Sequence, residues 1–330
     1  MSATTNIQRV NYRTAESVSP GHPDKICDQI SDAILDAYLA LDPHARVAVE
    51  ACGGHGTVFL TGEVSATQYV DVVPIVKRLA GEVEIIEHIV KQSPEIARGV
   101  DAGGAGDQGI MVGYACSETP ELLPLETVLS RRLNEALYKQ WPYDGKTQVT
   151  LRDGAVESVV ASFQNVDNAS LRAAVELWLK SEPLAKPAKN VALHINPAGD
   201  WSQGGFEADA GLTGRKLVVD NYGPGVPIGG GAFSGKDATK VDRSAAYMAR
   251  RVAVDYLRHY DAKEVYCYLA YAIGYAEPLE ATVIVDGIQQ RVEGYDLTPS
   301  GIIAALELTT PQFEQTARYG HFGHGFAWDK

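Results

Sequence analysis

The sequence predicts an α+β fold built of three similar units. Two observations carry this: a helix, hairpin, helix order occurs three times, and glycine-rich segments join the repeats. Strands arriving as hairpins between helices argue against a doubly wound parallel sheet.

In the first unit, Pro23 to Leu41 sets Ile26, Ile30, Ile34 and Tyr38 on one helical face, with Pro23 in the opening turn. Strands RVAVEA (46–51) and TVFLTGEV (57–64) follow around the turn CGGHG, and a helix from about Tyr69 to Leu79 closes the unit. The second unit runs through a helix at Leu125–Gln140, strands at 146–152 and 155–163 around Asp153-Gly154, and a helix at Leu171–Lys180. The third has a helix at Lys240–His259, strands at 264–273 and 279–285, and a short helix at Ser300–Leu308. Segments 99–109 and 199–214 are the connectors, and their glycine-rich backbone can present N–H groups to an anion.

With 330 residues the chain can bury a sizeable core over two or three domains, and 45% hydrophobic against 22% charged residues is the balance of a globular enzyme. The N-terminal MSATTNIQRV has no apolar core of a secretory signal. The longest apolar run, Val265–Ala276, is too short for a membrane helix. Cys27, Cys52, Cys116 and Cys267 form no metal-ligand spacing or disulfide framework, so buried thiols in a reducing cytoplasm are expected. A net charge of −13 argues against a nucleic-acid or anionic-membrane binder. Between Gly211 and Arg251, however, seven Lys or Arg stand against three Asp. Cations concentrated locally in an acidic chain favour a small polyanionic ligand.

That basic stretch contains GGAFSGKD (230–237), one residue short of a P-loop because Asp237 stands where Ser or Thr would hold Mg²⁺. A P-loop joins a strand directly to a helix. Here the nearest predicted strand, KLVVD (216–220), is separated from the motif by NYGPGVPIGG, and the helix begins only near Thr239, which can cap it. The Walker reading fails on context. What remains is Lys236 and Lys240 four residues apart with Asp242 following, which suits a Mg²⁺-bound phosphate chain and equally suits a solvated helix start.

Three further segments bear on that choice. In ESVSPGHPDK (16–25), His22 and Asp24 flank Pro23 at a helix entry, where Asp24 alone could serve the helix dipole. GAGDQG (104–109) sets Asp107 in glycine backbone, as an ordinary turn would. ADAGLTGRK (208–216) brings Asp209 near Arg215 and Lys216, as a hairpin with a surface ion pair would.

GHPDK, GAGDQG, GLTGRK and GGGAFSGKD, in that order and ending with YGHFG (319–323), closely resemble S-adenosylmethionine synthetase, over about Glu16 to Phe326. The resemblance implies three related α+β domains about a pseudo-threefold axis, expected here at 11–98, 107–204 and 206–330. It implies a reaction in which the sulfur of L-methionine attacks C5′ of ATP. Tripolyphosphate is displaced and then hydrolysed to pyrophosphate and phosphate. A thioether has no proton to remove, so no general base is needed for that step, and no Ser-His-Asp or Cys-His spacing stands out. The transition state instead needs cations at the leaving triphosphate and carboxylates at the growing sulfonium.

Carried over position by position, the resemblance implies that Lys146, Arg215, Lys216 and Lys236 bind the triphosphate and that His22 lies by the breaking C5′–O bond. Asp24 and Asp242 would ligate two Mg²⁺ ions, and Glu50 an activating K⁺. Glu63, Gln92, Asp209 and Lys240 would contact methionine, and Asp107 would orient the reacting groups. Asp144 and Ala232 would contact adenosine, as would Trp201, which stands where the family usually has a stacking Phe. The family also implies a cytoplasmic homodimer with shared sites, paired further as a dimer of dimers. His22 and Asp24 would then meet Lys146, Arg215, Lys216 and Lys236 across the twofold interface. The sequence departs from the family in a shorter gate loop (92–107), a reduced region before Lys146 and an early end after Trp328. A kinase that leaves ADP, and a nucleotide sensor without chemistry, are the competing readings.

Overall fold

The structure, a computed structural model, describes residues 10–92 and 103–330. Three tight turns organise it. His55-Gly56, Asp153-Gly154 and Asp286-Gly287 all hold positive φ at both central positions, the geometry whose twist matches a hairpin. They join β2 (Arg46–Gly54) to β3 (Thr57–Ser65), β6 (Gly145–Arg152) to β7 (Ala155–Phe163), and β11 (Glu280–Val285) to β12 (Ile288–Arg291).

Helices flank the first two hairpins as expected, although the helix expected from about Tyr69 begins only at Val73. In the third unit the expected strands do pair, but the tight turn joins the second of them to a further strand, Ile288–Arg291, that was not expected. In α1 (Pro23–Leu41) Ile30, Ile34 and Tyr38 of the expected face are buried, with Cys27 beside them in place of the half-buried Ile26, and the His22 ring accepts the Asp24 N–H as N-cap. The first unit then has α2 (Val73–Ala80); the second has α3 (Leu125–Tyr138) and α4 (Asn168–Ser181). The segment KLVVD forms no strand but a single helical turn, α5 (Leu217–Asp220), since the Asp220 and Asn221 amides bond back to Lys216 and Leu217 carbonyls. The third unit has α6 (Val241–Tyr260) before β10 (Glu264–Tyr271), with α7 (Pro299–Ala305) and α8 (Phe313–Tyr319) after the sheet. The cap of α6 also differs from expectation: Lys240 is the N-cap residue, while Thr239 donates its amide and hydroxyl to Asp237.

The sheets add strands that local periodicity does not announce. The first sheet runs β4-β3-β2-β9, the second β1-β6-β7-β8, the third β12-β11-β10-β5. In these, β4 (Glu84–Lys91) and β8 (Pro187–Ile195) lie parallel to β3 and β7, making mixed sheets. The others come from distant segments: β1 (Tyr12–Val18) joins the second sheet, β5 (Gly109–Cys116) the third, and β9 (Gly211–Leu212) the first. Each glycine-rich connector therefore leads into a strand of another unit's sheet.

Among the described residues, one apolar core spreads from α1 and the first sheet to α6 and the third. A second, around Leu133, Val149, Phe163 and Trp178, fills the space under the second sheet. Cys27, Cys116 and Cys267 are buried as expected, but Cys52 is exposed because it points from the outer face of β2. No helix among the described residues is long and apolar enough to cross a membrane.

Candidate active site

Strand β1 explains how the N-terminal motif reaches the middle of the chain. Val18 pairs with Lys146 at the end of β6, and beyond it the Ser19 amide and hydroxyl bond to the Gly145 and Tyr143 carbonyls at 2.8 Å each. His22 is thereby delivered beside Asp144 and Lys146. The Asp144 carboxylate accepts the Gly205 amide at 3.1 Å; burial pushes its pKa up despite that bond and nearby Lys146.

At the start of α1, Asp24 is buried, and the described structure engages both its oxygens. Oδ2 takes the Lys216 ammonium at 2.5 Å. Oδ1 accepts the Leu212 amide at 3.0 Å and has the Arg215 Nε at 3.4 Å. Burial would raise this carboxyl, but the Lys216 and Leu212 hydrogen bonds outweigh it and hold the pKa below the ordinary value. His22 is pushed down to about 4, by burial first and then by Lys216 and Lys146, against the opposing pull of Asp24 and Asp209. Its ring is therefore neutral at pH 7. Because Nδ1 accepts the Asp24 amide at 3.2 Å, the ring proton sits on Nε2.

The pairing expected between Asp209 and Arg215 or Lys216 is not found. Asp209 instead accepts its neighbour Ala210's amide at 2.8 Å, and both cations turn to Asp24. Ala232 is half-buried against Gly214, next to Arg215. Trp201 is half-buried over Gly204, where a Cβ would run into the indole ring.

A second cluster lies farther along α1. Gly235 donates to Asp32, eight residues beyond Asp24 and so about 12 Å along the helix. There the Lys236 ammonium meets Asp242 at 2.7 Å and Lys240 pairs with Asp237. Lys236 also bridges Ala48, which lies opposite Glu63, so Glu63 borders this cluster; Glu50 is exposed on the same strand, β2. Gly231 packs against the Asp242 carboxylate where any Cβ would overlap it, and Gly109 is beside it. Asp107, exposed, caps its own turn through the Gln108 amide at 2.7 Å, two residues before Gly109. Gln92 bonds Val64 through its backbone, and its side-chain oxygen is buried without a partner among the described residues. The rest of the expected gate, 93–102, lies outside the described residues.

The expected partition of the site therefore needs correction. His22 and Asp24 share one chain's cluster with Arg215, Lys216 and Lys146, because β1 and β9 bring those segments together. Lys236, Lys240 and Asp242 form the other cluster. Among the described residues no ion pair joins the two.

Sequence reasoning missed the buried charges behind these clusters. Lys25, Asp28 and Asp32 carry charge on the inner face of α1, and Asp32 forms a bidentate pair with Arg243 at 2.6 and 3.0 Å. Their spacing of three and four residues inside an apolar stripe was the available signal.

Known proteins match this chain along nearly its whole length. Family models for the N-terminal, central and C-terminal domains of S-adenosylmethionine synthetase match residues 10–95, 102–201 and 203–330. The chain is 42% identical over 365 residues to an S-adenosylmethionine synthase of a Nitratiruptor species, covering 96% of this chain and 95% of that protein. S-adenosylmethionine synthase 2 of Rhodospirillum rubrum is 42% identical over 368 residues and that of Helicobacter hepaticus 40% over 365, with the same coverage. These matched spans exceed the chain's 330 residues, so the relatives carry insertions that this chain lacks. On three domain matches in order, and on relatives covered almost end to end, the chain belongs to the S-adenosylmethionine synthetase family, the methionine adenosyltransferases.

Proposed function

We propose that this chain forms S-adenosyl-L-methionine from ATP and L-methionine by sulfur attack on C5′, and then hydrolyses the displaced tripolyphosphate. The observation that carries the reading is the convergence of Arg215 and Lys216 on buried Asp24 beside a neutral His22. An incoming triphosphate can take over both cations from Asp24, and their charge would then neutralise it as it leaves. His22, with its proton on Nε2, can donate to the departing oxygen without adding a charge of its own. Lys146 and Lys236 extend the phosphate contacts. Asp209, with Glu63, Gln92 and Lys240, serves methionine and the growing sulfonium; Asp107 orients the reacting groups. Asp144, Ala232 and Trp201 hold adenosine.

The donor set suits Mg²⁺. Each cluster offers a carboxylate among lysines, and Mg²⁺ is commonly held by one or two carboxylates with phosphate oxygens and water. Asp24 and Asp242 would hold two such ions, whose charge lowers the cost of gathering the phosphate oxygens. Glu50 would hold K⁺.

The two clusters complete one another in a homodimer, associated further as a dimer of dimers. Supporting this, Ile86, Phe59, Cys52 and Leu212 form an exposed row across β4, β3, β2 and β9, on the strands that carry Glu50 and Glu63. An apolar sheet face of this kind suits contact between copies.

Mass spectrometry after incubation with ATP, methionine, Mg²⁺ and K⁺ tests the function. The expected products are the sulfonium, pyrophosphate and phosphate. ADP as the main product would establish the kinase reading, and no turnover with intact binding the sensor.

A further inference from the structure

Behind the first cluster, three charged side chains are sealed from water. Lys25, Asp28 and Asp220 are each at most 4% exposed. The Lys25 ammonium reaches Asp28 Oδ2 at 3.1 Å and Asp220 Oδ1 at 2.7 Å. Burying three charges is costly, and replacing such groups by apolar ones is often neutral or stabilising, so stability alone does not explain them.

What they hold is specific. The other oxygen of Asp28 accepts the Gly214 amide at 2.8 Å, and Asp220 closes the helical turn α5. Arg215 and Lys216 lie between those two points. One ammonium thus ties down both ends of the segment Gly214–Asp220, through Asp28 at its start and Asp220 at its finish. Neighbouring contacts act in the same direction: Thr213 bonds Ser31 at 2.7 Å, and Arg131 takes the carbonyls of Val219 and Asn221 at 2.9 and 2.6 Å. Burial pushes Asp28 up to about 6 and Asp220 upward too, while the charge of Lys25 pulls both the other way and so favours their charged forms.

We propose that Lys25 is a positioning residue for the Arg215–Lys216 cation pair, acting through Asp28 and Asp220 to clamp the segment that presents both cations to the leaving triphosphate. The inference rests on reading that pair as leaving-group cations. Lys25 itself touches no substrate.

Calorimetric titration of tripolyphosphate with MgCl₂ into the full chain tests it, with melting of the ligand-free proteins alongside. Lys25→Met should weaken tripolyphosphate binding roughly 10- to 100-fold, the scale of a misplaced contact group, while leaving the KM for methionine near wild type. Asp28→Asn keeps an oxygen for Gly214 and loses the ion pair, so its loss should be smaller. It also serves as the test if Lys25→Met does not fold. Folded variants that bind tripolyphosphate within about twofold of wild type overturn the clamp, whatever their melting temperatures. A wild-type chain that binds no tripolyphosphate overturns the functional reading and the clamp together, so the two failures are distinguishable.

Discussion

Lys216 and Asp24, 192 residues apart in sequence, meet at 2.5 Å, with Lys216 on the same carboxylate that would ligate a metal. A triphosphate that draws Lys216 away frees that carboxylate. Mg²⁺ alone should therefore raise the melting temperature very little. Mg²⁺ with tripolyphosphate should raise it by several degrees, corresponding to about 2.7 kcal/mol at a hundredfold excess over Kd. Equal shifts in scanning fluorimetry would show that the metal does not wait for the phosphate.

The grouping of residues into two clusters fixes which variants complement. Asp24→Asn and Arg215→Leu strike the same cluster, so mixed dimers of those two should stay inactive. Asp24→Asn mixed with Asp242→Asn strikes different clusters. In a twofold dimer with shared sites, the mixed species then keeps one sound site. Random refolding of equal amounts makes about half the dimers mixed and should restore roughly a quarter of wild-type activity. Failure of the second pair, with mixed dimers verified by tagged pull-down, would confine the site to one chain.

Gly231→Ala should act on the second cluster alone. Its Cβ would overlap the Asp242 carboxylate and displace it from Lys236. Synthesis should fall at least tenfold, about 1.4 kcal/mol in the barrier, while the fold is retained. Circular dichroism and initial rates measure both; a fully active variant would mean that Asp242 tolerates another position.

His321 gives a pH signature outside the site. It is 3% exposed, hydrogen-bonded to the Tyr247 hydroxyl at 2.9 Å, and held well below its ordinary 6.5 by burial first and then by Arg243. The unfolded chain takes up this proton at a pH where the folded chain does not. The stabilisation is thus complete above about pH 6.5 and lost as pH falls, at a limit of about 1.4 kcal/mol per pH unit for one proton. His321→Asn, which can still accept the Tyr247 hydrogen bond, should remove one proton's share of the acid slope. Urea unfolding at pH 5 and 7 measures it, and identical slopes would mean that His321 is protonated in the fold.

Much of the fold was legible because its signals are local. Pro23–Leu41 is a helix with the bounds its periodicity announced, and the Asp153-Gly154 turn marked its hairpin. The strands β1, β5 and β9 were not legible, since each pairs with a partner far along the chain and leaves no periodic trace of its own. KLVVD misled because its apolar residues suit a strand, whereas only the amide partners decide for a turn of helix. At the site, residue types were readable and pairings were not. Proximity in sequence suggested Asp209 for Arg215 and Lys216, but the long-range approach of α1 supplies Asp24 instead. Lys25 and Asp28 passed unnoticed because charge on a helix is ordinarily read as solvent-facing.

The strand exchange among the sheets also governs how the chain must emerge from a ribosome. β1 ends at Val18 but finds its partner only when Gly145–Arg152 has been made; the edge of β2 waits for Gly211, and β5 waits for Glu264–Tyr271. At about 5–20 residues per second, β1 stays unpaired for on the order of ten seconds of translation. During that interval the nascent chain carries open strand edges that could pair with a neighbouring copy. A stop codon at either connector would therefore release a fragment whose first sheet lacks the Gly211–Leu212 strand.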